Sequence, residues 1–529
     1  TFDDIDFTDG QYFTLASSAN APGGVTTNLQ YWIKADAGTN TTSDDTPVTS
    51  WTDQSSNGVT TTSSGGVIPD YEHSGINHNR VVQFDDTEYM TIGDVSYLPS
   101  GDETRTYFSI ARPTGTATGS IWSHGNSSGN EGQGMHISSG GTTGNYYGWS
   151  NDLTSTGFFS SNVPVMATNY YNSSEVAHVV KNGELTASAS KTAWNTNNVK
   201  GYIGSNLNPS DYFLGDIAEV IMYDTELSAL ERLQVETYLA LKYGISLTSD
   251  NDGDASAGET ISGSVTEGDY VASDGSTIIW DYSAYTGYHY DISGIGRDET
   301  NGSGLNQKQS TSINTDAIVT MSTEAVAADN SSNGTSLTED AYLLWGNNNA
   351  STSAGDDLPS GYTGRLQKEW VVEMTGTVAD VHIEFDLTND DYLWGDAAAD
   401  FYLLVDADGD FTSGASATVA SSFGSDKVTF NDIDFTDGQY FTLATQQPGP
   451  GGVSSNLNLW LKADAGITGS APITAWSNQS SNTVSNTVSG DPALTTAGLN
   501  YNDVAVSYTH LRARETLRYL VCRLLLEKK

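Results

Sequence analysis

Cysteine is all but missing. The 529 residues contain one, Cys522, so the chain holds no disulfide framework and no thiolate zinc cluster. Cations are scarce too. Lysine and arginine total 21 against 66 aspartates and glutamates, for a net charge of −45; such a surface repels nucleic acid and anionic lipid, and divalent cations or a saline medium would screen it. No apolar run reaches the roughly 18 residues that a membrane-spanning helix needs, so no direct membrane insertion is expected. The eight histidines show neither H-x-H nor H-E-x-x-H spacing, which leaves no zinc site to propose. What the chain does have is 54 glycines, 28 tyrosines and 10% aromatic residues. Short β-strands joined by many turns fit that composition, and the aromatic side chains supply the apolar area that a disordered acidic chain would lack.

The sequence repeats its own opening. Residues 1–38 return at 429–466 with 27 of 38 positions identical and no gap, a period of 428 residues. That period is far too long for a solenoid, so each unit must hold complete domains, and a larger parent protein with tandem copies is expected. Tandem copies of large modules suit a filament or a multivalent surface. The last segment, 507–529 (SYTHLRARETLRYLVCRLLLEKK), matches nothing in the first copy and carries six of the 21 basic residues together with Cys522. It resembles a translated sequencing adapter and is set aside from the functional reading.

Residues 1–21 read as the last strands of a preceding unit. Residues 22–248 form a β-rich domain with turn-bounded strands at 80–84, 107–111, 176–181 and 217–223. It closes in one helix: Ser228 and Glu231 make a capping box, Leu230, Leu233, Tyr238 and Leu241 share a face, and Gly244 stands where a C-terminal cap belongs. Residues 249–268 are polar and acidic, as in a linker. A second β-rich domain spans 269–445, and 446–506 begins another copy of the first. The fold class is therefore all-β, with a β-sandwich ending in one short helix followed by a further β-rich domain.

The stretches NLQYWIKADAG, RVVQFDDTEYMTIGD and YFLGDIAEVIMYDTELSALERLQVETYLALKYGI, within 25–248, resemble the laminin-G-like branch of the concanavalin A-like lectin/glucanase jelly rolls. Those of the second domain, DGSTIIWD, DISGIGRDE, LNQKQS and LLWGNN, resemble an uncharacterised β-rich family found in large bacterial surface proteins. The resemblance implies two antiparallel sheets and an extracellular, non-catalytic binding or adhesive role. It also implies a calcium near Asp85, Asp86 and Asp216, although FDDTEYM lacks the glycine usual after the first aspartate.

Two acidic loops offer calcium ligands from their own spacing. Asp250, Asp252 and Asp254, and likewise Asp406, Asp408 and Asp410, put a carboxylate at every second residue around a glycine. Neither completes an EF-hand, because position 12 is Ile261 or Ala417, and ordinary acidic turns are the alternative. Trp122, Tyr146, Tyr147, Trp149 and Trp194 lie among Gly, Ser and Asn and are candidate sugar platforms, whereas Trp32, Trp51 and Trp280 read as core. Arg297 is expected to pair with Asp298 or Asp291.

The nearest approach to a retaining-glucanase pattern, Glu384-x-Asp386-x-x-Asn389, ends in asparagine. Gly125-x-Ser127-x-Gly129 lacks the following helix of a nucleophile elbow. The expected function is a non-catalytic repeat module at a bacterial cell surface or in a secreted protein, with a glycan or cell-surface ligand and calcium as possible cofactor. A purely structural stalk and a polysaccharide-degrading enzyme are the alternatives.

Overall fold

The computed structural model describes residues 20–64, 66–116, 118–138, 140–250, 258–299, 302–352, 357–362, 364–389, 397–446, 457–463, 466–479, 488, 490–499 and 502–506. The expected opening strands (1–19), the 507–529 tail, Asp252 and Asp254 lie outside them.

Alternating apolar residues build two facing antiparallel sheets in the first domain. One runs, in spatial order, Glu184–Ser190, Val176–Lys181, Val165–Tyr171, Arg105–Pro113, Gly215–Tyr223, Asn79–Phe84, Asp70–Ile76 and Thr46–Pro47, with Leu29–Lys34 also paired to Gly215–Tyr223. The other runs Leu153–Ser155, Gly144–Tyr147, Gly132–Ile137, Gly119–Gly125, Lys200–Ile203, Met90–Ile92, Thr60–Ser63 and Ser50–Thr52. Between them sits a core that includes Tyr31, Trp51, Tyr107, Trp122, Tyr146, Trp194 and Met222. This is the expected β-sandwich.

The second domain is a sandwich as well. Its larger sheet contains Tyr290–Asp298, Ala341–Asn347, Trp370–Thr375, Tyr440–Thr445 and Phe401–Asp406 in that order; its smaller sheet contains Val319–Ser322, Val381–Asp386 and Lys427–Ile433. Trp345, Trp370, Phe385, Phe430 and Phe441 fill the space between.

The helix, α1 (Ala229–Tyr243), has the expected ends. Ser228 and Glu231 form a reciprocal capping box and Gly244 closes the helix in the left-handed conformation. Its position is less expected. Every residue from Leu233 to Tyr243 is buried, because one flank packs on the outer face of the first sandwich (Trp32, Phe108, Ile221) and the other on the outer face of the second (Ile292, Leu344, Val371) in one continuous cluster. The arrangement is five layers, two sheets on either side of one helix.

Polar side chains on α1 are matched at this joint. Gln234 donates to the Ser273 carbonyl at 2.6 Å, Thr168 donates to Glu236 at 2.7 Å, and Thr237 accepts from the Val271 amide at 3.2 Å. Lys242 meets Glu219 at 2.9 Å and Asp36 at 3.2 Å. From the 70–84 hairpin, Asn77 donates to the Lys242 carbonyl at 3.2 Å and accepts from the Thr311 amide at 2.8 Å, tying helix end and second domain together. Gly23, at φ 60°, lies so close that a Cβ there would sit 2.3 Å from the Gln234 carbonyl. Part of the expected linker is folded too: Thr260–Ser262 and Val265–Thr266 pair as a hairpin whose Val265 is buried in the same cluster as α1.

The second copy reproduces local contacts of the first. The Trp476 indole donates to the Lys462 carbonyl at 2.8 Å as Trp51 does to Lys34 at 3.0 Å. The Gln479 amide donates to the Trp460 carbonyl at 2.7 Å as Gln54 does to Trp32 at 2.6 Å. Lys462 stands 5.0 Å from the Trp460 ring, as Lys34 stands 4.6 Å from Trp32. At these described positions the local contacts repeat with the sequence.

Candidate functional site

Four of the five aromatic candidates are core residues, which corrects the sequence reading. Trp122, Tyr146 and Trp194 point between the sheets of the first sandwich and are at most 1% exposed. Tyr147 is buried as well, its ring lying across Gly134 so closely that a Cβ there would clash. The Gly, Ser and Asn around these residues signal close packing beneath large rings, not open loops. Trp149 is half-buried, with its ring edge-on to Tyr147 at 5.9 Å. Trp32, Trp51 and Trp280 are core as expected.

The face of the second sheet turned away from the first carries a cluster that the sequence did not reveal. Met90 and Ile203 point into the core, so by the period-two alternation of strands Tyr89 and Tyr202 point outward. Register sets Tyr202 opposite Thr91, two residues from Tyr89. The two rings meet edge to face at 5.4 Å, and Tyr212 stacks on Tyr89 at 5.9 Å. All three are half-buried, which keeps the rings fixed while leaving part of each to solvent. The Tyr212 hydroxyl donates to the Pro209 carbonyl at 2.8 Å, and Asn206 donates to Asp211 at 2.6 Å, pinning the adjoining loop. Burial and the neighbouring Tyr89 hold the Tyr202 phenol above its ordinary pKa, so it is a neutral hydrogen-bonding group at physiological pH.

The two expected metal sets that lie wholly among the described residues do not converge. Asp216 is fully buried and held by Arg112, whose Nε and Nη2 both lie 2.6 Å from one carboxylate oxygen, while Asp85 and Asp86 are exposed. The arginine takes the place expected of a cation. In the second loop, Asp406 accepts from the amides of Asp408 and Gly409, and Asp410 accepts from Thr412; these carboxylates close turns. Asp250 is described without its partners in the motif. Among the described residues, Asp298, Glu339 and Asp340 are the carboxylates that bring three oxygens within 4.8 Å of one another. Asp298 there is occupied by Ser273 and by the Tyr342 hydroxyl at 2.7 Å.

Arg297 pairs with acids, but not those expected: Glu299 at 2.6 Å and Glu339 at 3.1 Å. Asp291 instead serves Lys368, Asn314 and Asn347. Glu384 is bound by Lys427 at 2.5 Å and Asp386 caps Thr388, an arrangement of paired surface charge. Ser127 lies in the turn between two strands and accepts from Lys200 at 3.2 Å.

Residues 231–439 match the family model described as a domain of unknown function (DUF8202). The match begins inside α1, the layer that both sandwiches share. No curated protein matches the chain. Among solved structures, domain 4 of AbnA, a GH43 extracellular arabinanase from Geobacillus stearothermophilus in complex with arabinotriose, is 16% identical, with 40% of this chain and 99% of that chain covered at a TM-score of 0.31. The Ruminococcus gnavus IT-sialidase CBM40 bound to α2,3-sialyllactose is 16% identical over 28% of this chain and 91% of its own, at 0.24. A SAP-like pentraxin from Limulus polyphemus is 14% identical over 30% and 80%, at 0.22. No described helix is long and apolar enough to cross a membrane.

Proposed function

We propose that the chain is a non-catalytic repeat module of a larger bacterial surface or secreted protein, and that its first sandwich binds carbohydrate on the Tyr89, Tyr202 and Tyr212 face. The tyrosine cluster carries the reading. Fixed, partly open rings give the flat apolar surface on which the C–H face of a sugar ring rests, and the surrounding hydroxyl and amide groups supply directed hydrogen bonds. Repetition of the unit would convert a weak contact into avidity. The high negative charge favours neutral glycans over acidic ones.

Glycan-array binding of the 529-residue chain tests this, with calcium and with chelator, beside Tyr202→Ala. Binding of neutral glycans that falls about tenfold in Tyr202→Ala supports the reading. Equal binding by both proteins, or none by either, refutes it. Loss of binding in chelator would bring calcium into the same site; binding that survives chelation removes calcium from the proposal. A structural stalk is the second reading, favoured by the helix that fuses the two sandwiches through one core.

A further inference from the structure

Strand register places the tyrosine cluster partway along a line that crosses the outward surface of the second sheet of the first sandwich. In one direction Tyr202 stands opposite Thr91, Thr91 opposite Thr62, and Thr62 opposite Ser50. In the other, Tyr202 stands opposite Ser123, Ser123 opposite Gly134, and Gly134 opposite Tyr147. Directly paired residues share a face of the sheet, so these positions form a single row.

The two directions differ. Toward Tyr147 the row is roofed: Ser123, Gly134 and Tyr147 are buried although they point away from the core between the sheets. The Tyr147 ring lies across Gly134, and the loop 204–214 closes over the neighbouring strands. The Ser123 hydroxyl donates to the Ser205 carbonyl of that loop at 2.7 Å. Leu207, fully buried, presses on the same face so closely that a Cβ on Gly132 would meet its Cδ1 at 2.5 Å. Tyr212 belongs to this loop and stands at the edge of the roof.

Toward Ser50 the row is open. Thr62 is exposed and Thr91 and Ser50 are half-buried, while their chain neighbours Trp51, Thr61 and Met90 are buried toward the core. Each hydroxyl can both donate and accept; that of Thr91 is shared with Ser64 at 2.8 Å and keeps acceptor capacity. Three strand spacings separate Tyr202 from Ser50, a path of roughly 14 Å.

We propose that this surface reads the end of a linear neutral glycan. The terminal unit lies on the tyrosines, the following units run over Thr91, Thr62 and Ser50, and the loop 204–214 stops the chain from continuing past Tyr202. Given the tyrosine face as the carbohydrate site, on which this reading rests, roof and row add a direction and a terminus. A chain interior cannot pass beneath a closed loop, so only an end reaches the rings.

Calorimetry on the 529-residue chain tests it, with malto-, laminari- and manno-oligosaccharides from monosaccharide to hexasaccharide and with soluble unbranched polymers of each. Affinity should rise with length and level off, and one protein should bind per polymer chain however long the polymer. The double variant Thr62→Val, Thr91→Val should weaken the hexasaccharide about tenfold through lost hydrogen bonds and leave the monosaccharide unchanged. Valine suits an exposed strand position, so the melting temperature should hold. Tyr202→Ala should weaken every length. Protein bound per chain that grows with polymer length shows interior recognition and overturns the proposal. Affinity independent of length, or equal losses for monosaccharide and hexasaccharide in the double variant, overturns it too; if binding is still lost in Tyr202→Ala, the tyrosine face stands without it. Absence of binding by every series overturns it as well, and the glycan array then decides the tyrosine face by itself.

Discussion

Replacing Lys242 with methionine should cost about 3–5 kcal/mol, the penalty for leaving one member of a buried ion pair without its partner. Lys242 sits at the joint between the sandwiches, 2.9 Å from Glu219 and 3.2 Å from Asp36. Glu219 also accepts from the Trp32 indole at 2.5 Å and the Tyr243 hydroxyl at 2.8 Å, so the anion keeps some support when the lysine goes and the low end of the range is expected. Glu219→Gln should cost a similar amount, because the amide turns a donor toward groups that themselves donate. The double variant should be less unstable than the two single losses added together, by 1 kcal/mol or more. Urea titrations followed by far-UV circular dichroism measure all three. Acid titration gives an independent arm. Burial raises the Asp36 carboxyl pKa, but the charges of Lys242 and Lys34 outweigh that and hold it at about 2. A depressed carboxyl stabilises the fold above its unfolded pKa near 4 and loses that contribution as pH falls toward 2; in Lys242→Met the loss should set in at higher pH. Additive single and double effects within about 0.5 kcal/mol, with an unmoved acid limb, would show that the pair does not anchor α1 to the first sandwich.

Two more outcomes follow from the same structure. Burial, then the nearby carboxylates, raises the Glu373 pKa to about 7 even though the Asp281 amide donates to it at 2.7 Å; a raised carboxyl stabilises below its unfolded pKa and loses that contribution as pH climbs to 7. Glu373→Gln, which keeps the amide contact, should flatten this decline and gain about 1 kcal/mol at pH 8, after discounting for partial exposure; an unchanged pH profile of the urea midpoint would refute it. Trp194→Ala should destabilise by about 3–5 kcal/mol through the cavity it leaves. Because Trp194 packs against Tyr146 at 4.9 Å inside the core, glycan affinity of the folded fraction should stay unchanged, and a selective loss of affinity would return the residue to the binding surface.

Local signals were legible in the sequence and long-range ones were not. The capping box, the Gly244 cap and the Val176–Lys181 strand depend on neighbours within a few positions, and each was found where expected. The burial of α1 on both flanks was hidden because Gln234, Glu236, Thr237 and Lys242 look like a solvated face; their partners are Ser273 and Val271 in the second domain and Thr168 and Glu219 in the first. Glycine misled in a specific way. Gly134 and Gly148 suggested loops, yet they are where Tyr147 and Trp194 lie across the backbone. The cluster of Tyr89, Tyr202 and Tyr212 escaped notice because each stands alone in its segment, and only strand register brings them together.

The Tyr440–Thr445 strand, whose first five residues recur at 12–16, lies inside its sheet. It pairs with Phe401–Asp406 on one side and with Trp370–Thr375 and Gly364–Arg365 on the other. Tension transmitted along the chain through this strand would have to rupture hydrogen-bonded ladders on both flanks together. A peripheral strand could peel away one bond at a time; an interior one resists as a unit.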